Sequence, residues 1–197
     1  GSRSFAIGDH STANATNAFA TGYKTLAHGD NSMTIGYQDT TLGTGTLATG
    51  FKTSAGGSYS FASGFQVRAR SFGSFVIGRY NTPYIYNAAF SPTAWYSNDF
   101  LFVVGNGTNA TTGVNDALVL YKNGNMKVDG SFYPNDDGVP SLGLSTNKWA
   151  VVYAVNGTIQ TSDIRYKKDI EDINYGLDDI LKLHPVSFRW IDFPDQG

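Results

Sequence analysis

The chain has 197 residues, 23 glycines, 12 tyrosines, 13 phenylalanines and no cysteine, with only 15% charged residues. This composition suits β-rich fibrous or surface proteins rather than a soluble helical enzyme, and it excludes a disulfide framework and a thiolate metal site. The net charge of −2 divides into an excess of three cations over residues 1–79 and an excess of acids over 80–162 and 163–197; none of these is the basic patch that nucleic-acid binding requires, and no apolar run approaches the ~20 residues of a membrane span.

Gly1-Ser2 reads as a cloning scar, so the chain is expected to be a cut from a longer protein. The organising feature follows at once. Glycine falls at Gly8, Gly22, Gly36, Gly50, Gly64 and Gly78, always fourteen residues apart. The three residues before each glycine repeat as well, as in Phe5-Ala6-Ile7, Phe19-Ala20-Thr21 and Phe75-Val76-Ile77: a large apolar residue, usually a small one, then a β-branched residue or serine. An aromatic follows in four copies, at Tyr23, Tyr37, Phe51 and Phe65, and small residues recur five and seven positions past the glycine. A fixed short period marks a solenoid of stacked units. Fourteen residues suit two short strands and two turns, with glycine expected to supply a turn's positive φ. Alternation puts alanine inside, hence a thin coil, and six coils stacked at ~4.8 Å give a rod section of roughly 29 Å. Such a coil cannot enclose its large Phe, Tyr, Met and Leu side chains, so they are expected to face another chain.

These units resemble the head repeats of trimeric autotransporter adhesins of the YadA type, over roughly residues 3–80. The resemblance implies a left-handed parallel β-roll, three chains side by side, on a cell or phage surface; similar repeats also occur in phage tail fibres.

Residues 79–104 break the pattern. Tyr84, Tyr86, Phe90, Trp95, Tyr96, Phe100 and Phe102 crowd together, with turns marked by Pro92 and Asn98-Asp99. Two readings stand side by side: the core of a small β domain, or a platform for a surface ligand such as a sugar, with Trp95 and Tyr96 as the candidate ligand-binding residues. Leu101–Gly105 and Ala117–Tyr121 read as strands. Lys122-Asn123-Gly124-Asn125 carries the Asn-Gly hairpin signal, and Met126–Gly130 returns. Residues 134–148 are turn-rich; Asp136 and Asp137 lack the further carboxylates of a calcium loop. Lys148–Ala154 reads as the next strand.

Thr161-Ser162-Asp163-Ile164-Arg165-Tyr166-Lys167-Lys168-Asp169-Ile170 is followed by Gly176-Leu177 and by Leu183-His184-Pro185-Val186-Ser187-Phe188-Arg189-Trp190. These spaced elements resemble the start of the endosialidase-type intramolecular chaperone, a self-cleaving serine peptidase family at the C-termini of phage tail spikes and fibres, and 137–160 resembles the fibre neck that precedes it. The resemblance implies a Ser–Lys dyad at Ser162 and Lys167, with cleavage next to Ser162 and Asp163 as its neighbour. Tyr166 fills the family's hydrophobic position, and Lys168 stands where an acidic residue is more usual. The family domain is much longer than residues 162–197, so a truncated domain is expected, without activity in this chain. Read as chemistry, a serine hydroxyl needs a base. Lysine serves only when neutral, about 0.04% of the time at pH 7 from its reference pKa; burial, or neighbours such as Arg165 and Lys168, can lower that pKa. A spacing of five puts the pair on opposite faces of a strand and off the contact face of a helix. The dyad therefore needs a turn, or two chains, which would tie cleavage to assembly. The other reading is that Ser162 and Asp163 cap a turn. Ile170, Ile173, Leu177 and Ile180 form an apolar helical stripe within 169–184.

The expected fold is an elongated all-β homotrimer. Parallel β-roll repeats (3–80) lead to an aromatic-rich β domain (81–133), a β neck (134–161) and a truncated α+β chaperone segment (162–197). The expected role is a fibre or adhesin tip, extracellular on a bacterial surface or virion tail. It would bind a host or prey cell-surface glycan or protein, with no nucleic-acid partner, no membrane insertion and no turnover of an external substrate. A tail spike that degrades polysaccharide is the alternative, though the paired carboxylates such enzymes need are scarce in 80–160. No cofactor and no metal are expected, since His10, His28 and His184 lack ligand spacing.

Overall fold

The computed structural model describes residues 1–82, 90–136, 140–155, 168, 176 and 180–187. The chain divides into two units, 1–140 and 141–197. In the first, strands run in chain order as β1 (Phe5–Asp9), β2 (Thr12–Ala13), β3 (Phe19–Tyr23), β4 (Leu26–Ala27), β5 (Met33–Tyr37), β6 (Thr40–Thr41), β7 (Leu47–Phe51), β8 (Ser54–Ala55), β9 (Phe61–Phe65), β10 (Arg68–Ala69), β11 (Phe75–Arg79), β12 (Phe100–Asn106), β13 (Asp116–Tyr121) and β14 (Met126–Val128). The odd strands from β1 to β11 pair in parallel into one sheet, and β2 to β10 pair in parallel into a second. Each fourteen-residue repeat is one coil with one long and one short strand, and the fold is a parallel β-solenoid.

The register is set by the repeat itself. Phe5 aligns with Phe19, Ala6 with Ala20, and Gly8 with Gly22, and every later coil follows. Ala20, Thr34, Ala48, Ala62 and Val76 point inward from the long strands; Ala27, Thr41, Ala55 and Ala69 point inward from the short ones, and all are buried. The interior is therefore built from alanine, threonine, serine and valine, as a thin coil demands. The large side chains stand outside in ladders. Tyr23, Tyr37, Phe51 and Phe65 stack with ring centroids 4.8–4.9 Å apart, Phe61 stacks on Phe75 at 4.4 Å, and Phe5 on Phe19 at 5.5 Å.

The repeat glycines do not make the turns. They lie inside the long strands, with φ between +96° and +135°, and a Cβ on Gly36 would overlap the carbonyl oxygen of Gly50 in the next coil. The expectation that glycine shapes the turn is corrected: glycine is there for close backbone approach. Left-handed turn residues are mostly not glycine. His10, Lys24, Gln38, Lys52, Gln66 and Tyr80 form one column with φ of 43–56°. From Lys24 onward each gives its N–H to the preceding coil, as Lys52 does to Tyr37 O at 2.7 Å, which offsets the strain of that conformation.

The coil pattern does not stop at Arg79. β12 adds to the long-strand sheet in parallel, with Phe102 opposite Phe75, Val103 opposite Val76 and Gly105 opposite Gly78. Gly105 lies 27 residues past Gly78, so the segment between the two strands is one coil carrying an insertion. β13 and β14 then continue the sheet as an antiparallel hairpin turning at Gly124, as the Asn-Gly signal predicts.

In the second unit, residues 148–154 are not a strand, which corrects that reading. Trp149, Val151, Val152 and Tyr153 are exposed, and among the described residues no strand pairs with them; an apolar run without a ladder partner has nothing to satisfy its backbone as a strand. Ile180 and Leu183 close one short turn through Ile180 N–H to Gly176 O and Leu183 N–H to Ile180 O. The rest of the expected 169–184 helix, the Phe188–Trp190 alternation, Tyr84, Tyr86, and Ser162, Asp163 and Lys167 lie outside the described residues.

Candidate functional site

The inserted segment between β11 and β12 is held to the end of the solenoid by backbone bonds. Ser58 N–H donates to Pro92 O at 2.7 Å and Phe72 N–H to Ser91 O at 2.9 Å. The Ser91 hydroxyl caps the turn beyond, accepting from Thr93 N–H and Ala94 N–H, and Tyr96 O accepts from Asp99 N–H at 3.1 Å. This framework presents Trp95 and Tyr96, the two sequence-predicted ligand residues, with 55% and 52% of their surface exposed. They are aromatic faces on a braced loop rather than core.

What braces them is a buried ion pair. Lys122 Nζ lies 3.5 Å from Asp99 Oδ2, and both side chains are almost wholly excluded from solvent. The same ammonium sits 4.8 Å from the Trp95 ring and 5.9 Å from the Phe72 ring. It makes no hydrogen bond among the described residues, so its charge is balanced by Asp99 and by two ring faces. Burial pushes the Lys122 ammonium below the ordinary lysine range, and Asp99 opposes that shift. Asp99 Oδ2 also accepts Ser91 N–H, and Lys122 N–H donates to Asp99 O at 2.9 Å. The hairpin turn and the insertion are locked together, and Trp95 lies on top of the lock.

Neither Asp99 nor Lys122 stands out in the sequence, since both occupy turn-like contexts. The findable signal was the hidden coil: aligning Phe102-Val103-Val104-Gly105 with Phe75-Val76-Ile77-Gly78 brings Asp99 to the solenoid's end.

The other aromatic cluster nearby is Tyr59 and Phe72, edge to face at 5.5 Å, with Tyr59 strongly exposed. Among the described residues no three His, Asp or Glu side chains gather as metal ligands would.

The sequence model of the chaperone of endosialidase matches residues 162–197. No curated protein and no solved structure has a significant match to the chain. A parallel β-solenoid whose chain ends in a segment matching that chaperone is an arrangement that fits a phage tail fibre or spike.

Proposed function

We propose that the chain is part of a homotrimeric fibre or adhesin tip that binds a cell-surface glycan, displayed outside a bacterium or on a virion tail. The observation that carries the trimer is the outward ladder of Tyr23, Tyr37, Phe51 and Phe65, with Phe5, Ile7, Met33, Ile35 and Phe75 also exposed on the same sheet. A contiguous apolar face of this kind marks a surface that another chain covers. Two neighbours of the same chain satisfy it by symmetry, and the resemblance of the repeats to trimeric adhesin heads points the same way.

The glycan reading rests on Trp95 and Tyr96. Exposed rings on a rigid loop stack on the apolar faces of sugars at little entropic cost. In the longer protein, the chaperone drives the three chains together. Ser162 then cuts the chain with Lys167 as its base, Asp163 being next to the cleavage site. Release of the chaperone leaves the mature trimer kinetically trapped.

The test uses labelled protein on intact bacterial cells of the candidate hosts. Binding is expected, and mild periodate oxidation of the cells, which opens sugar diols, abolishes it. Binding that survives periodate but is lost on protease treatment of the cells would move the ligand from glycan to protein. Release of reducing sugar during incubation would point instead to a polysaccharide-degrading spike.

A further inference from the structure

The short-strand sheet carries a second feature, on the side of the coil away from the apolar ladders. β10 is its last strand. Within it Ala69 points inward, so Arg68 and, two residues on, Arg70 share the outer side. Lys52 stands in the turn column one coil earlier. These three cations and Gln38 line an open groove of about 570 Å³, walled at one end by Phe90 and Pro92. Lys52 and Arg68 also line an adjoining cavity of about 130 Å³ with Tyr80 and Gln66. The larger volume lies in the range of small-molecule sites.

Among the described residues no acid forms an ion pair with these cations. Residues 1–79 contain three carboxylates. Asp39 is buried inside the coil, Asp30 accepts Thr16 N–H at 2.9 Å, and Asp9 contacts His10 two coils before the groove. Asp99 lines a small cavity with Arg68 and Arg70, but its carboxylate is engaged by Lys122. The two ion pairs among the described residues are those of Asp9 with His10 and Asp99 with Lys122. Burial, and then the neighbouring Arg68, lower the Arg70 guanidinium's affinity for its proton.

The backbone of Arg68 is held in place. The Asn81 side chain stands in for the missing next coil: its Oδ1 accepts Arg68 N–H at 2.7 Å and its Nδ2 donates to Arg68 O at 3.2 Å. That caps the edge of the sheet and fixes the backbone from which the guanidinium group springs. Two like charges side by side repel one another, and an anion that meets both is attracted to them.

The geometry points to this groove as a subsite for an acidic glycan, with Arg68 and Arg70 holding a carboxylate and Phe90 a sugar face. This rests on the glycan reading above and extends it. The ligand is then a charged polysaccharide, and it is gripped on the flank of the solenoid as well as at Trp95. Guanidinium forks suit planar carboxylates.

The test measures binding of the intact protein to a panel of acidic oligosaccharides, each paired with a carboxyl-reduced counterpart, by calorimetry at two salt concentrations. The expected result is binding to an acidic member that weakens about tenfold or more on carboxyl reduction, in Arg68→Gln/Arg70→Gln, and at higher salt. Thermal unfolding of that variant checks its fold, and Arg68→Lys/Arg70→Lys, which keeps the charge, is expected to retain part of the affinity. Equal binding to acidic and reduced members, with loss only in Trp95→Ala, overturns the groove and leaves the glycan reading standing. Binding to no member overturns both. Tighter binding to a DNA duplex than to any oligosaccharide overturns the groove's assignment to glycan.

Discussion

Gly36 of one coil and Gly50 of the next are so close that a Cβ on the first would collide with the carbonyl oxygen of the second. The same relationship joins Gly22 to Gly36 and Gly64 to Gly78, and it fixes coil spacing along the solenoid. The obstacle is chiefly backbone, which cannot move without breaking the long-strand ladder, and the Asp39 carboxylate also stands in the way. Gly36→Ala is therefore expected to cost on the order of 3 kcal/mol or more, from the clash together with φ of +132°. Gly56→Ala is the control. It has an ordinary φ, its new methyl would meet only Ala69 O at 3.8 Å, and it is expected to change stability by less than about 1 kcal/mol. Thermal unfolding of the two variants compares them directly.

Asp39 gives the solenoid a pH dependence. It occupies the inward column of Thr25 and Thr53, fully buried; Oδ1 accepts Thr53 N–H at 2.7 Å, while Oδ2 has no partner. Burial is the main cause that raises its pKa above 3.8, and the hydrogen bonds oppose it. The folded state then holds the proton more tightly than the unfolded chain. Stability is greatest below the ordinary carboxylate range, falls as pH rises through the raised value, and is flat above it. Asp116, also raised by burial, adds a slope of the same sign. Asp39→Asn is expected to raise the melting temperature at neutral pH and to flatten the fall that begins as pH rises out of the ordinary carboxylate range. An unchanged slope would assign the effect elsewhere.

The Lys122–Asp99 pair predicts a different response. Asp99→Ala strands a buried ammonium and is expected to cost about 3–5 kcal/mol. Asp99→Asn/Lys122→Met removes both charges and is expected to cost less than the sum of its single substitutions. Lys122→Met is also expected to weaken glycan binding through Trp95, which loses the cation beneath it. Double-mutant cycles on unfolding and on binding read both effects.

The repeat made most of the solenoid legible, because a fixed period constrains register, inward column and outward column together. Ala20, Ala48 and Ala62 are inside because the alternation puts them there. The seventh coil was hidden by the insertion that separates Gly105 from Gly78. The role of glycine was misread because a turn and a close backbone approach both favour it; only the neighbouring coil shows which applies. Polar surroundings singled out Trp95 and Tyr96 as candidate ligand residues, but the sequence left open whether they are core or exposed; the structure exposes both. Their support was not readable, since Asp99 and Lys122 lie 23 residues apart and each looks like a turn residue. The Trp149–Tyr153 apolar run misled because a strand's composition does not supply a strand's partner.

The dyad at Ser162 and Lys167 is tested in a protein in which a chaperone segment of the family's full length follows the solenoid. Two fragments are expected on a denaturing gel, with the new N-terminus at or next to Ser162. Ser162→Ala and Lys167→Ala are each expected to leave one full-length band while the protein still assembles. Cleavage that persists in both variants would remove the proposed chemistry from these residues.

The central claim is that the outward ladders are covered by two further copies of the chain, and the native mass in solution tests it most directly. The chain mass is 21.2 kDa, and the account predicts a stable species of three chains. A well-folded monomer of 21.2 kDa would contradict it, because Tyr23, Tyr37, Phe51 and Phe65 would then stand in water with nothing to cover them.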